Sequence, residues 1–294
     1  DHKAISAGVV QLIKEGVLIE VFVPEYNEVF SISYRSDVAV GDVLLLACED
    51  PVTGVRSLTY KEVGGTRDMV LPPVSIARSA LDDNSWKKEV SWHDTLITID
   101  NGSISKRPDL WSHRGYAREL ALLIGNTLRS DAEVYEFDIT TPHHPVEPAK
   151  NLAAPEVTIA TEKARLFSAI NFAVFQTPYL SPERTIRLAR LNVKLYNALI
   201  DLTNYVLFDI GQPLHVFDSS AIADNHLIAR DAYPKEKLLC LDGVERTLTD
   251  ADIVVSDGQR VHSLAGIVGG SYSSVKHGNH VLTLEAANFV GESI

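Results

Sequence analysis

Four prolines, Pro142, Pro145, Pro148 and Pro155, fall within residues 138–156. Proline fixes φ and removes a main-chain donor, so this stretch reads as an extended, semi-rigid connection rather than a helix or a central strand. The chain must therefore build its cores on either side of it. At 294 residues there is length for about two domains. Apolar residues make up 45% and charged residues 22%, ordinary for a globular chain with a real core. No run approaches about 18 consecutive apolar residues, which argues against a membrane span. No basic stretch leads into an apolar one as in a secretory signal. The chain opens Asp1-His2-Lys3 rather than with Met and stops at Glu292-Ser293-Ile294, which reads as a piece of a longer polypeptide.

Charge and cysteine content exclude several classes of function. The formal net charge is −12, the opposite of a nonspecific nucleic-acid coat protein, so any nucleic-acid contact must rest on local basic patches or on other parts of an assembly. Cys48 and Cys240 stand far apart in apolar runs and read as buried thiols, not as a disulfide framework or a thiolate zinc site. His143-His144 has no acidic or thiol partner at ligand spacing and reads as a solvated pair.

The first ninety residues are patterned as strands. Val17–Val23 is rich in β-branched residues, Pro24–Glu28 makes a turn, Val29–Tyr34 alternates with period two, and Asp42–Ala47 is a third strand. Gly64-Gly65 and Pro72-Pro73 punctuate the chain beyond that strand. Short strands with turn signals point to a small barrel or a meander, an oligonucleotide-binding (OB) barrel being one such form. Thr95–Ile99 reads as one more strand, and Tyr116–Ile124 as a helix ended by Gly125.

Beyond the prolines the pattern mixes helix and strand. Ala164–Phe172 reads as a strand, and Pro182 opens a helix at its first turn. Arg184, Arg187, Arg190 and Lys194 recur at helical spacing, either as a solvated face or as phosphate contacts. Asp201–Ile210 is an apolar helix or strand bearing Thr203 and Asn204. Gly211-Gln212-Pro213 then presents His215 on a rigid loop, with Phe217 able to pack beneath it and Asp218 to orient or cap it. Asp242-Gly243 makes a hairpin turn. Ser263–Gly270 is a glycine-rich loop off a strand, but it lacks the lysine and hydroxyl of a phosphate-binding loop. Glu285 lies towards the end of an apolar strand beside Ala286 and Ala287, where a buried carboxylate is costly without a dedicated partner.

Several of these segments together resemble the beta subunit of phenylalanyl-tRNA synthetase. They are Asp201-Leu-Thr-Asn-Tyr205, Gly211-Gln-Pro-Leu-His-Val-Phe-Asp218, Leu241-Asp-Gly243, Leu264-Ala-Gly-Ile-Val-Gly-Gly270 and Leu284-Glu-Ala-Ala-Asn-Phe289, in the family's order. Arg107-Pro-Asp109 and Gly115-Tyr-Ala-Arg-Glu-Leu120 match the element preceding the family's editing domain, so the match runs from about Thr95 to the end. The resemblance implies an α+β or mixed α/β chain in three parts. Residues 1–92 would form an OB-like, candidate tRNA-binding domain. Residues 93–150 would be a connecting element with the proline-rich linker, and 151–294 an editing domain of B3/B4 type cut short at its C-terminal end.

By that resemblance the alpha subunit charges tRNA(Phe) using ATP and Mg²⁺, and the beta subunit hydrolyses tRNA(Phe) mischarged with tyrosine. The family assembles as two alpha and two beta chains in the cytoplasm, and no cofactor or metal is implied for this segment. Carried over by motif position, His215, Ala265 and Gly266 would serve the reaction, and Glu285, Asn204, Thr203, Pro213 and Lys194 the substrate. Lys194 stands where some members have arginine, and Val216 replaces the usual alanine. The family also continues beyond Ile294 with a segment that completes the pocket wall. An alternative reading is a non-catalytic tRNA-binding or structural module. A third is a glycosidase-like pair of Asp218 and Glu285.

Overall fold

The computed structural model describes residues 4–14, 18–34, 38–48, 54–130, 152–174, 179–276 and 281–294. The proline-rich segment and His143-His144 fall almost wholly outside them. The chain divides into two compact units, Asp1–Asn101 with Thr177–Tyr205, and Gly102–Gln176 with Val206–Ile294.

In the first unit, β1 (Ala4–Lys14), β2 (Leu18–Val23), β3 (Glu28–Ser33), β4 (Val43–Cys48) and β5 (Val55–Ser57) form one antiparallel sheet in the order β3-β2-β1-β4-β5. The outer strands β3 and β5 approach each other, so the sheet nearly closes as a barrel. Alternation fills the inside. Ile19, Val21 and Val23 are buried on β2, while Leu44, Leu46 and Cys48 face them from β4. Strand β1 has no counterpart among the strands expected from the sequence. It pairs with both β2 and β4, and Gly8 at its centre leaves no room for a Cβ against Val21 and Leu46. α1 (Arg78–Asp82) follows the barrel.

Residues 95–100 carry no strand, contrary to the expectation for Thr95–Ile99. Leu96 and Ile97 are 60% and 68% exposed, so a β-branched run is not enough when no neighbouring strand offers a ladder.

α2 (His113–Leu123) lies where the sequence places a helix, begun a turn earlier by the Ser112 hydroxyl, which accepts the Gly115 N–H at 3.0 Å. α3 (Pro182–Arg190) starts at the expected proline and buries Ile186, Leu188 and Ala189. Its basic residues are neither a free solvated face nor a clear phosphate track. Arg187 pairs with Glu183 and donates to the Tyr205 hydroxyl, and Arg184 lies over the Tyr205 ring. Arg190 is drawn inward. Its guanidinium donates to the carbonyls of Val63 (2.8 Å), Ser91 (3.0 Å) and Trp92 (3.2 Å) and to Asp94 (3.1 Å). Lys194 lies past the helix end, over the Tyr196 ring. The Tyr60 hydroxyl accepts the Leu195 N–H at 3.0 Å, a further tie of residues 177–205 into this unit.

Among the described residues the second unit holds two larger sheets and a two-stranded hairpin. β6 (Glu156–Ala160), β9 (His226–Asp231), β12 (Ile253–Ser256), β13 (Val261–Leu264) and β14 (Val268–Gly269) run in the order β14-β13-β12-β9-β6, with only β6 parallel to its neighbour. β7 (Ala164–Ala173), β15 (Val281–Phe289) and β8 (Leu214–Asp218) form an antiparallel sheet with β15 in the middle. Phe167, Phe217, Leu227, Ile253 and Val255 from both sheets make one core. The Asp242-Gly243 turn joins β10 (Lys237–Leu239) to β11 (Glu245–Thr247) as expected, with Gly243 at φ +80°. α4 (Ala198–Ile210) settles the helix-or-strand ambiguity of 201–210 as helix. Cys48 and Cys240 are both buried free thiols, one in each unit. Among the described residues no helix is long and apolar enough to cross a membrane.

The role of Arg190 is testable. Arg190→Ala strands three carbonyls and should cost about 2–4 kcal/mol of stability, seen in urea unfolding. Arg190→Lys should recover little of it, because an ammonium on a flexible stem does not reproduce the guanidinium fork.

Candidate functional site

α4 ends at Gly211, whose φ of +82° is the left-handed turn glycine adopts without strain. Gly211 packs on Ser112 at the start of α2, where an added Cβ would come within 3.3 Å of the serine Cβ. His113 Nδ1 and the Phe208 carbonyl, 2.8 Å apart, tie the same corner. Three residues beyond Gly211, β8 begins. His215 is therefore on a strand, not on the loop expected from the sequence, because the turn is complete at Pro213.

The pairing of β8 with β15 places His215 directly opposite Glu285, and Leu214 opposite Ala286. Directly opposed residues share one face of the sheet, with Cβ atoms about 4.5–5.5 Å apart. Glu285 is thus in the middle of its strand, not near its end, with His215 on one side and Ala169 on the other. The imidazole of His215 meets Phe217 edge to face, ring centroids 4.5 Å apart, which fulfils the expectation that Phe217 packs beneath it. Its other flank rests on Gly269, where an added Cβ would lie 2.5 Å from Cε1 and 2.9 Å from Nε2.

His215, Gly269 and Glu285 line a cleft of about 390 Å³ together with Pro213, Ser263, Gly266, Asn288 and Ile294. Glu285 is 7% exposed, and among the described residues its carboxylate has no hydrogen-bonding or ionic partner. Burial alone pushes it up to about 7, since the charged form loses its hydration. Burial drives His215 the other way, down to about 4. At neutral pH the imidazole is uncharged, so the two opposed side chains do not form a simple ion pair.

The remaining expected residues fall in several places. Pro213 and Gly266 line the cleft. Ala265 does not, as its side chain is 4% exposed in the core and its N–H donates to the Ile253 carbonyl at 2.9 Å. The Ile267 N–H is likewise spent on Leu264. Of the amides at this turn, that of Gly266 makes no hydrogen bond among the described residues. The glycine-rich segment is a tight β13–β14 hairpin, with Gly266 at φ +71°. Lys194, Thr203 and Asn204 belong to the other unit, whereas every residue lining the cleft belongs to the second. The Thr203 hydroxyl is also used within α4, donating to the Ile200 carbonyl at 2.7 Å.

Asp218 does not orient His215. Its Oδ1 accepts the Ser220 N–H and hydroxyl. It is opposite Leu282, three residues from Glu285 on β15, so the two acids sit on opposite faces of the sheet and no glycosidase-like pair forms. Behind Phe217, fully buried His262 places Nε2 2.9 Å from Asp257 Oδ2. Burial would raise Asp257, but the amides of Ala223, Gln259 and Arg260 together with His262 hold it at about 2. No group of three or more potential metal ligands occurs among the described residues. Gln212, Ser263 and Gly269 also border the cleft, although the sequence assigns none of them a role. Only the Gly-Gln-Pro turn and the glycine run hint at them.

Comparison with known proteins supports the resemblance read from the sequence. Residues 181–294 match the B3/4 domain family. Over 284 residues the chain is 28% identical to the phenylalanine–tRNA ligase beta subunit of Leptospira biflexa, covering 90% of this chain and 33% of that one. It is 34% identical over 207 residues to the same subunit from Clostridium tetani, covering 68% of this chain and 25% of the relative. The chain thus spans a third or less of these relatives' length. An N-terminal fragment of the phenylalanyl-tRNA synthetase beta subunit from Pyrococcus horikoshii aligns with 64% of this chain and 54% of its own at 16% identity and a TM-score of 0.34, too remote a likeness to argue from.

The burial of Glu285 predicts a pH signature. Its pKa is higher folded, at about 7, than unfolded, near 4.5, so the folded state holds the extra proton between those values and stability falls as pH rises through them. Glu285→Gln removes that loss. Relative to wild type, its stability should be unchanged below pH 4.5, climb between 4.5 and 7, and level off above 7 with a gain of up to about 3 kcal/mol. Urea unfolding of both proteins across this range checks it. His215 contributes loss as pH falls from 6.5 towards 4 in both proteins, and so largely cancels.

Proposed function

From its similarity to a portion of phenylalanine–tRNA ligase beta subunits, we propose that this chain hydrolyses tRNA(Phe) mischarged with tyrosine. The observation that carries the reading is the pairing of His215 and Glu285 across one ladder, inside a cleft that leaves Glu285 buried without a partner. The synthetic reaction, with its ATP and Mg²⁺, is assigned to an alpha subunit working beside it in the cytoplasm, in the two-alpha, two-beta assembly of the resembled family.

A pocket that selects phenylalanine cannot strongly reject an analogue that only adds a hydroxyl, and about 10²-fold is typical. A second pocket can use the opposite asymmetry. The tyrosine phenol donates to the Glu285 carboxylate, whereas phenylalanine leaves that acceptor buried and unpaired. Sites of this kind discriminate by about 10⁴–10⁵.

Hydrolysis breaks the ester bond between the tyrosyl carbonyl carbon and the ribose oxygen of the tRNA end. Water adds to the carbonyl carbon, and the ribose oxygen leaves with a proton. His215, neutral at pH 7, orients that water through a ring nitrogen. Its low pKa makes it a weak base, so its contribution is chiefly placement. The unspent Gly266 N–H is the amide suited to the developing oxyanion, replacing the Ala265–Gly266 pair expected from the sequence. A second reading is favoured by one fact: a carboxylate near pH 7 is well matched to accept a proton from water, which would make Glu285 the general base.

The complete two-subunit enzyme separates these readings. His215→Ala should slow Tyr-tRNA(Phe) hydrolysis by about 10²-fold and leave phenylalanine charging intact. Glu285→Ala should lower the preference for Tyr- over Phe-tRNA(Phe) by about tenfold or more, with attack on Phe-tRNA(Phe) preserved or increased. Equal loss on both substrates would identify Glu285 as the base. A wild-type enzyme that deacylates neither would leave a non-catalytic tRNA-binding module.

A further inference from the structure

The strand ladder that aligns His215 with Glu285 stops at Leu214 opposite Ala286. The next position would set residue 213 opposite Ala287. Carbonyls on a strand point alternately to its two neighbours. The Ala286 carbonyl accepts the Ser168 hydroxyl from β7, so the Ala287 carbonyl points towards β8. There it meets proline, which has no N–H to give. The side-chain amide of Gln212 fills the gap. Its Nε2 donates to the Ala287 carbonyl at 3.2 Å and to the Pro213 carbonyl at 2.8 Å. Both partners are carbonyl oxygens, which fixes the NH₂ end of the amide towards them.

We propose that Gln212 is a positioning residue of the cleft: its side-chain amide supplies the main-chain donor that Pro213 lacks, and so holds the start of β8, with His215, in register against Glu285. The residue touches no reacting atom. Proline gives the turn after Gly211 a fixed φ but removes one rung at the cleft's rim, and the glutamine before it restores that rung from outside the main chain. Without the rung, the strand frays from Pro213, two residues before the imidazole. This inference rests on the reading of the cleft as an ester-hydrolysing site, but the pairing is measurable without hydrolysis.

The test is a double-mutant cycle in the complete enzyme with Gln212→Ala, Pro213→Ala and both together, following amide exchange of residues 214–216 and deacylation of Tyr-tRNA(Phe). Gln212→Ala should speed exchange across 214–216 and lower kcat for hydrolysis by on the order of tenfold, with KM and phenylalanine charging little changed. Gln212→Glu, similar in shape but without the amide donor, should behave as Gln212→Ala does. In the Pro213→Ala background a main-chain N–H is present again, so removing Gln212 should change little in exchange or rate. Exchange and kcat unaffected by Gln212→Ala would overturn the proposal, as would an equal loss in both backgrounds. Should the wild type hydrolyse no Tyr-tRNA(Phe), the functional reading fails, while the exchange cycle still decides the role of Gln212.

Discussion

The antiparallel pairing of β8 with β15 is the constraint on which the cleft depends. Side chains alternate along a strand, so the register that sets His215 opposite Glu285 also sets Phe217 opposite Thr283 and sends Leu214 and Val216 to the other face. A slip of one residue would move the imidazole away from the carboxylate and carry Phe217 out of the core it shares with Phe167 and Ile253. Core packing therefore enforces the geometry of the site. Phe217, at 0% exposure, links the two: it seats His215 on one side and the buried His262 on the other.

That enforcement accounts for a carboxylate held where it is poorly solvated. Free of packing demands, a side chain like Glu285 would turn to water. Here β7 and β8 flank its strand, and the residues beside it on the same face, Ala169 and Ala287, are too small to fill the space around it. The strain appears in the opposite displacement of two neighbouring groups, Glu285 upward and His215 downward. Each is pushed towards its neutral form by loss of water. A hydroxyl donated to Glu285 would relieve part of that cost.

Local rules make much of this visible in the sequence. Pro182 marks the first turn of α3, Asp242-Gly243 marks a hairpin, β-branched content marks β2 and period-two alternation marks β3, because each signal depends on residues a few positions apart. The isolation of Glu285 among small residues makes it conspicuous in the sequence, and the structure leaves its carboxylate buried without a partner at a cleft. Partnership between distant segments is not legible. Thr95–Ile99 has the composition of a strand and lacks a neighbour, whereas β1, with Gly8 and Gln11 in it, gives a weak strand signal and proves central to its sheet. The amide of Ala265 looks available in the sequence, but the fold gives it the Ile253 carbonyl. Arg190 looks like one member of a charged row, but three loop carbonyls turn it inward.

The order of the strands has a consequence for synthesis of the chain itself. β15, which supplies Glu285 and the middle of its sheet, is the last of these strands to leave the ribosome, long after β7 and β8. Until it arrives, those two strands have no ladder in common and each exposes an unpaired edge. A nascent chain therefore carries both halves of its cleft wall without a cleft, and the cleft takes shape only when β15 inserts between them.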